Sequence, residues 1–106
     1  MKINKIVETV LYVTDMEKAE KFYTEILNFE KQDESSSRNL FLKCGQAALI
    51  LFDPEKTKID GGKVPTHGAT GAGHVAFGIP NDSFDYWIER LKAAGITIEK
   101  DITWEE

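Results

Sequence analysis

Two stretches decide the fold: Val7-Glu8-Thr9-Val10-Leu11-Tyr12-Val13-Thr14-Asp15 and Gly73-His74-Val75-Ala76-Phe77-Gly78-Ile79-Pro80-Asn81. At one constant offset, Glu8 maps to His74, Val10 to Ala76, Leu11 to Phe77, Val13 to Ile79 and Asp15 to Asn81. Each stretch is followed by residues whose apolar positions recur at helical spacing. A duplicated strand–helix unit predicts pseudo-twofold packing. That packing would make a cleft to which one half brings a carboxylate and the other an imidazole.

Working outward, residues 6–14 alternate with the period of a strand, so Glu8, Val10 and Tyr12 share one face and Val7, Thr9, Leu11 and Val13 the other. Asp15 is placed to cap a helix, because its carboxylate can accept an otherwise unpaired backbone N–H, and Glu17 suits the positive end of the helix dipole. Met16, Ala19, Phe22, Tyr23, Ile26 and Leu27 form the apolar stripe of that helix. Phe22 and Tyr23 are read as core packing rather than as a ligand-stacking pair. A strand begins near Phe29, and Asp33-Glu34-Ser35-Ser36-Ser37 reads as a polar turn. Residues 39–44 and 47–53 are two strands joined at Gly45-Gln46, a compact hairpin signal.

The composition changes between Asp53 and Gly73, where Pro54, Gly61, Gly62, Pro65, Gly68, Gly71 and Gly73 argue against a long regular element. At about 20 residues this connector exceeds the usual loop, and long ordered loops often border binding sites. It contains His67, read as a solvated histidine. The second half then restarts the pattern. A strand at 73–79 puts His74, Ala76 and Gly78 on one face, with Val75, Phe77 and Ile79 on the other. Pro80 stops it, and Asn81, Asp82 or Ser83 can cap a helix with the stripe Phe84, Trp87, Ile88, Leu91 and Ala94. Gly95 suits the left-handed position that ends helices, and a strand from Ile96 to about Thr103 follows. Trp104 is expected over a cleft mouth or at an interface. The two further strands that a full repeat would need are not among the 106 residues. An open strand edge invites pairing with another chain, so a homodimer is expected.

Composition narrows the function. The chain has 42% hydrophobic and 29% charged residues, which is ordinary for a globular domain. A chain of this size buries roughly two-thirds of its unfolded surface as one domain. The net charge of −5 leaves no clustered basic face for phosphates, which argues against nucleic acid as a partner. No stretch has the length and apolarity to cross a membrane, and the start carries no apolar signal region. Cys44 is the only cysteine, so no internal disulfide is possible. It is read as an inert thiol, and a reducing, cytoplasmic setting follows as the expectation.

The signature Glu8-x6-Asp15-Met16-x2-Ala19-x2-Phe22-Tyr23-x3-Leu27, with Gly73-His74-Val75-Ala76-Phe77 and the helix end Leu91-Lys92-Ala93-Ala94-Gly95, resembles the vicinal oxygen chelate superfamily. That superfamily includes glyoxalase I, fosfomycin-resistance enzymes, extradiol dioxygenases, methylmalonyl-CoA epimerase and bleomycin-resistance proteins. The resemblance covers nearly the whole chain and both repeats. It implies an α+β fold of paired βαβββ modules, a cupped mixed sheet with helices outside and a ligand cleft inside. The first module spans about residues 1–53, the connector about 54–72, and the second about 73–106 without its last two strands.

In metal-dependent members, ligands come from the first and last strands of each module. Glu8 matches the first-strand position and His74 its counterpart in the second module. Ile50 stands where some members place Glu, and the fourth position would lie beyond Glu106. The resemblance thus implies a divalent metal (zinc, nickel, iron or manganese) on Glu8 and His74, with a third group still needed. Val10, Tyr12, Ile50 and Ala76 are expected to line the cleft, whose few polar groups on an apolar floor fit a small-molecule site.

Three readings follow. The first is an enzyme, with Glu8 and His74 as catalytic or metal-binding groups, performing lyase, isomerase or dioxygenase chemistry on vicinal oxygens. Glu8 as a general base is an alternative role within it. The second is a metal-free protein that sequesters a drug or metabolite, which Ile50 and the negative charge favour and His74 opposes. The third, a structural interaction domain, would leave the repeat-related Glu and His incidental.

Overall fold

The computed structural model describes residues 1–58, 66–71 and 73–103. The chain divides into two compact units, Met1–Gly73 and His74–Glu106.

The first unit is built on a four-stranded mixed sheet of order β1-β4-β3-β2. Its strands are β1 (Glu8–Tyr12), β2 (Glu30–Lys31), β3 (Asn39–Cys44) and β4 (Ala47–Phe52). β1 runs parallel to β4, with Glu8 opposite Ala48, Val10 opposite Ile50 and Tyr12 opposite Phe52. β3 is antiparallel to β4 and pairs Asn39 with Phe52, Phe41 with Ile50 and Lys43 with Ala48. The β3–β4 hairpin turns at Gly45-Gln46, where Gly45 has φ 59°, the left-handed conformation that glycine adopts without a Cβ clash.

Helix α1 (Met16–Lys21) starts where the sequence places it. The Asp15 carboxylate accepts the Lys18 N–H at 3.0 Å and closes one of the four open donors of the first turn. The helix continues as a π-turn over Phe22–Ile26, with the Leu27 N–H reaching the Phe22 carbonyl at 3.0 Å. The Thr24 hydroxyl donates to the Glu20 carbonyl at 2.7 Å, a local back-bond that competes with the regular helical pattern. Asn28, at φ 63°, then turns the chain, and the Phe29 N–H returns to the Tyr23 carbonyl.

Alternation sorts the sheet into two faces. Leu40, Leu42, Leu49 and Leu51 point toward Met16 to make the core, with Leu11, Val13, Ala19, Tyr23 and Phe29 packed around them. Leu40, Leu42 and Leu51 have no exposed surface, and each such burial contributes about 1.5–3 kcal/mol. Tyr23 belongs to this packing, as expected, and burial pushes its hydroxyl pKa above the ordinary value. Val7, assigned to this face by its spacing, instead lies exposed before β1 begins.

The region after Asp53 holds a short helix that the glycine and proline content concealed. In α2 (Pro54–Thr57) proline occupies the first turn, where its missing N–H has no intrahelical acceptor, and the Asp53 side chain accepts the Glu55 N–H at 3.0 Å.

The second unit contains a 3₁₀ turn (Asn81–Ser83) and helix α3 (Phe84–Ala93), which ends at Gly95 with φ 78°. The Ser83 hydroxyl donates to the Pro80 carbonyl at 2.7 Å instead of accepting a helix N–H. Trp87, Ile88 and Leu91 are half-buried, whereas Phe84 is exposed. Among the described residues neither 73–79 nor 96–103 forms a paired strand, contrary to the sequence reading. The first unit supplies the reason. Its first strand pairs only with its fourth and its second only with its third, so the counterparts of β1 and β2 are not each other's neighbours. Residues 73–79 and 96–103 thus carry strand patterns that find no pairing partner among the described residues. The expected paired modules are seen as one complete βαβββ unit and a second unit formed around α3. Trp104 lies outside the described residues.

Candidate functional site

The face of the sheet opposite α1 is built from alternate residues of three strands. Strand pairing gives three rows: Glu8, Ala48 and Lys43; then Val10, Ile50 and Phe41; then Tyr12, Phe52 and Asn39. Of the predicted site residues, the structure thus brings Glu8, Val10, Tyr12 and Ile50 onto one surface. Glu8 is exposed, Val10 and Tyr12 are half-buried, and Ile50 retains only 5% of its surface. His74 and Ala76 belong to the second unit, where both are exposed.

The floor is apolar in the middle and polar at its ends. In the first row Lys43 also reaches Glu30 of β2, 3.9 Å away and well exposed, a contact of little energetic weight. At the far end the rings gather. The Phe52 ring lies 6.4 Å from Tyr12 and 6.4 Å from Phe41, the latter edge-on. The His67 ring completes the group, 4.9 Å from Phe52. Such aromatic contacts add about 0.5–1.5 kcal/mol each beyond burial.

His67 is therefore not a solvated loop residue. Its N–H donates to the Thr57 carbonyl at 2.8 Å, while the Thr57 hydroxyl donates back to the His67 carbonyl. Thr57 is 1% exposed, so this two-bond clasp sits in a dry environment that strengthens it. Sequence spacing could have placed Phe41 and Phe52 on this face, because both obey the strand alternation. Nothing local in the sequence signals that the connector returns His67 to it.

A hollow of about 520 Å³ lies beside the start of α1, with Asp15, Glu17, Glu20, Ser35 and Asp53 in its walls. Its carboxylates serve the fold. Asp15 and Asp53 cap helices, and Glu20 meets Lys31 at 3.3 Å. A hydrogen bond from Ser35, followed in weight by Lys31, holds the Glu20 carboxyl below its ordinary pKa against the opposing effect of burial.

A resident divalent ion needs about three protein groups. Among the described residues no three His, Cys, Asp or Glu side chains are arranged so that they could hold a metal ion. Ile50, the position where the resemblance allows a further ligand, stands opposite Val10 and Phe41 and offers no donor atom. The described residues do not by themselves fit a metal centre. Among them, no helix is long and apolar enough to cross a membrane.

A four-stranded mixed β1-β4-β3-β2 sheet with a helix packed on one face is an α+β arrangement. The chain belongs to the Glyoxalase/Bleomycin resistance protein/Dioxygenase superfamily, whose family model matches residues 5–105. It is 33% identical to a lactoylglutathione lyase from Agrobacterium tumefaciens, whose crystal structure aligns with a TM-score of 0.89 over 98% of this chain and 80% of that one. It is 30% identical to Glyoxalase 1 of Caenorhabditis elegans across 93% of this chain. The chain spans 33% of the length of that curated relative. The fosfomycin resistance protein FosX from Listeria monocytogenes shares the fold. One of its structures holds Mn(II) and 1S,2S-dihydroxypropylphosphonic acid and aligns at 23% identity with a TM-score of 0.68, covering 98% of this chain and 75% of that one.

Proposed function

We propose that this chain acts as a glyoxalase I-like isomerase on the adduct of a thiol and a 2-oxoaldehyde, forming a 2-hydroxyacyl thioester. The observation that carries the reading is the register that sets Glu8 at one end of an apolar floor formed by Val10, Ile50 and Phe41. The 33% identity to a lactoylglutathione lyase over nearly the whole chain supports the substrate class.

The isomerisation needs a proton moved between adjacent carbons and no external oxidant. Glu8 takes the proton from the carbon bearing sulfur and hydroxyl, which leaves an enediolate. The same carboxyl returns it to the neighbouring carbon, and the hydroxyl proton passes to the former ketone oxygen, as the thioester carbonyl forms. No step is assigned to a metal, because the described residues do not complete a centre. The same reading has two copies of the chain associating, and analytical ultracentrifugation tests that.

The test is thioester formation from methylglyoxal and glutathione by the wild-type chain and by Glu8→Gln. Removing a general base lowers kcat by about 10²–10⁴-fold. Activity of Glu8→Gln within a few-fold of wild type rejects this assignment. A second reading, sequestration of an aromatic drug or metabolite, is favoured by the buried Ile50 and by the Tyr12, Phe41, Phe52 and His67 rings. It predicts tight binding of an aromatic ligand with no turnover.

A further inference from the structure

The imidazole of His67 is held in place yet has no assigned task. Its backbone is clasped to Thr57 from both sides. Gly68 fits the loop closely against α2, since a Cβ there would lie 3.0 Å from the Lys58 Cβ and 3.7 Å from the Pro54 carbonyl oxygen. The ring rests on Phe52, on the face that carries Glu8. Among the described residues neither ring nitrogen has a hydrogen-bond partner in the protein. A half-buried imidazole that is fixed by its backbone, with no ring hydrogen bond among the described residues, offers a directed donor to a ligand.

The spacing of the rows indicates which part of a ligand it meets. From the Glu8 row to the Tyr12–Phe52 row is four residues along a strand, about 13 Å at 3.3 Å per residue. A 2-oxoaldehyde is far shorter than this. A tripeptide thiol spans up to about 11 Å when extended, and its side-chain sulfur adds further reach. Apolar Val10, Ile50 and Phe41 fill the interval.

We propose that His67 is a specificity-determining residue that hydrogen-bonds a carboxylate or amide oxygen on the peptide arm of the thiol while Glu8 faces the reacting carbons. This rests on the isomerase reading for the substrate class. The imidazole makes its contact equally in ground and transition states, so its loss raises KM and leaves kcat unchanged.

The experiment uses the full chain and two readouts. In kinetics, His67→Phe keeps a ring on Phe52 and removes the N–H. KM for the methylglyoxal–glutathione adduct rises about 10-fold, the worth of one hydrogen bond to a charged group. Values with 2-mercaptoethanol, which has no peptide arm, stay within 2-fold of wild type. His67→Gln restores a donor and recovers part of the difference. In calorimetry, S-methylglutathione binds wild type about 10-fold more tightly than His67→Phe. Equal losses with both thiols, a loss confined to kcat, or unchanged binding of S-methylglutathione overturns the inference. Binding of S-methylglutathione that depends on His67, with no turnover by wild type, upholds His67 and rejects the isomerase reading. Failure of wild type to bind S-methylglutathione rejects the inference itself.

Discussion

Replacing Ile50 with Glu tests both the dryness of the open face and the reason the described residues do not complete a metal centre. Ile50 retains 5% of its surface and sits between Val10 and Phe41. Ile50→Glu forfeits about 1.5–3 kcal/mol of apolar burial. A carboxyl without partners in the same place costs about 1–3 kcal/mol more. The sum, about 2.5–6 kcal/mol, is a large part of the 5–15 kcal/mol that stabilises a typical domain. At about 4–8 °C per kcal/mol, Tm should fall by at least about 10 °C in metal-free buffer.

The new carboxyl would also stand diagonally across from Glu8, because Glu8 pairs with Ala48, two residues earlier on β4. Such neighbours lie about 7–8 Å apart, within reach of one ion for two long side chains. Free Zn²⁺, Ni²⁺ or Mn²⁺ at about 100 times its Kd would restore about 2.7 kcal/mol. In differential scanning calorimetry, Ile50→Glu should therefore regain about 10 °C or more with one of these ions, while wild type shifts far less. A metal-free Tm within about 3 °C of wild type would refute the dry floor. An equal ion-induced shift in wild type would refute the carboxylate added at position 50 as the source of the ion binding.

Two further outcomes test the frame that holds this face. Asp15→Ala removes the cap on the Lys18 N–H and should cost about 1 kcal/mol, read as a lower urea midpoint with an unchanged m value. Ser35 and Lys31 lower the Glu20 pKa, so the folded state binds that proton less readily than the unfolded chain. The stabilisation is present above the ordinary value of 4.5 and is lost as pH falls through the lowered value. Glu20→Gln should accordingly flatten the acid side of the stability–pH curve and leave its neutral side parallel to wild type.

What the sequence made legible was whatever short-range rules determine. Asp15 announced α1, Gly45-Gln46 announced the hairpin, and alternation placed Glu8, Val10 and Tyr12 on one face. Pro54 argued only against a long regular element, which left the four-residue α2 unread. After a capping Asp53 the same residue opens a helix, since the first turn has no use for its missing N–H. The π-turn had no periodic signature beyond Thr24, whose hydroxyl bonds within its own helix in many contexts. Strand patterns at 73–79 and 96–103 were real as patterns, yet a strand exists only with a neighbour, and its neighbour is a non-local fact.

His67 failed for the related reason that its position depends on a clasp closed across ten residues by Thr57. Thr57 itself was invisible as a functional support, because a threonine in a short helix normally signals nothing. The same physics links these failures. Local composition specifies where a chain turns and which side of an element is greasy. The groups that aim a side chain at a ligand are brought together by loop closure and by pairing partners far along the chain. Alternation therefore made Glu8 and the apolar middle of this face readable in the sequence, while His67, which reaches it through loop closure, was not.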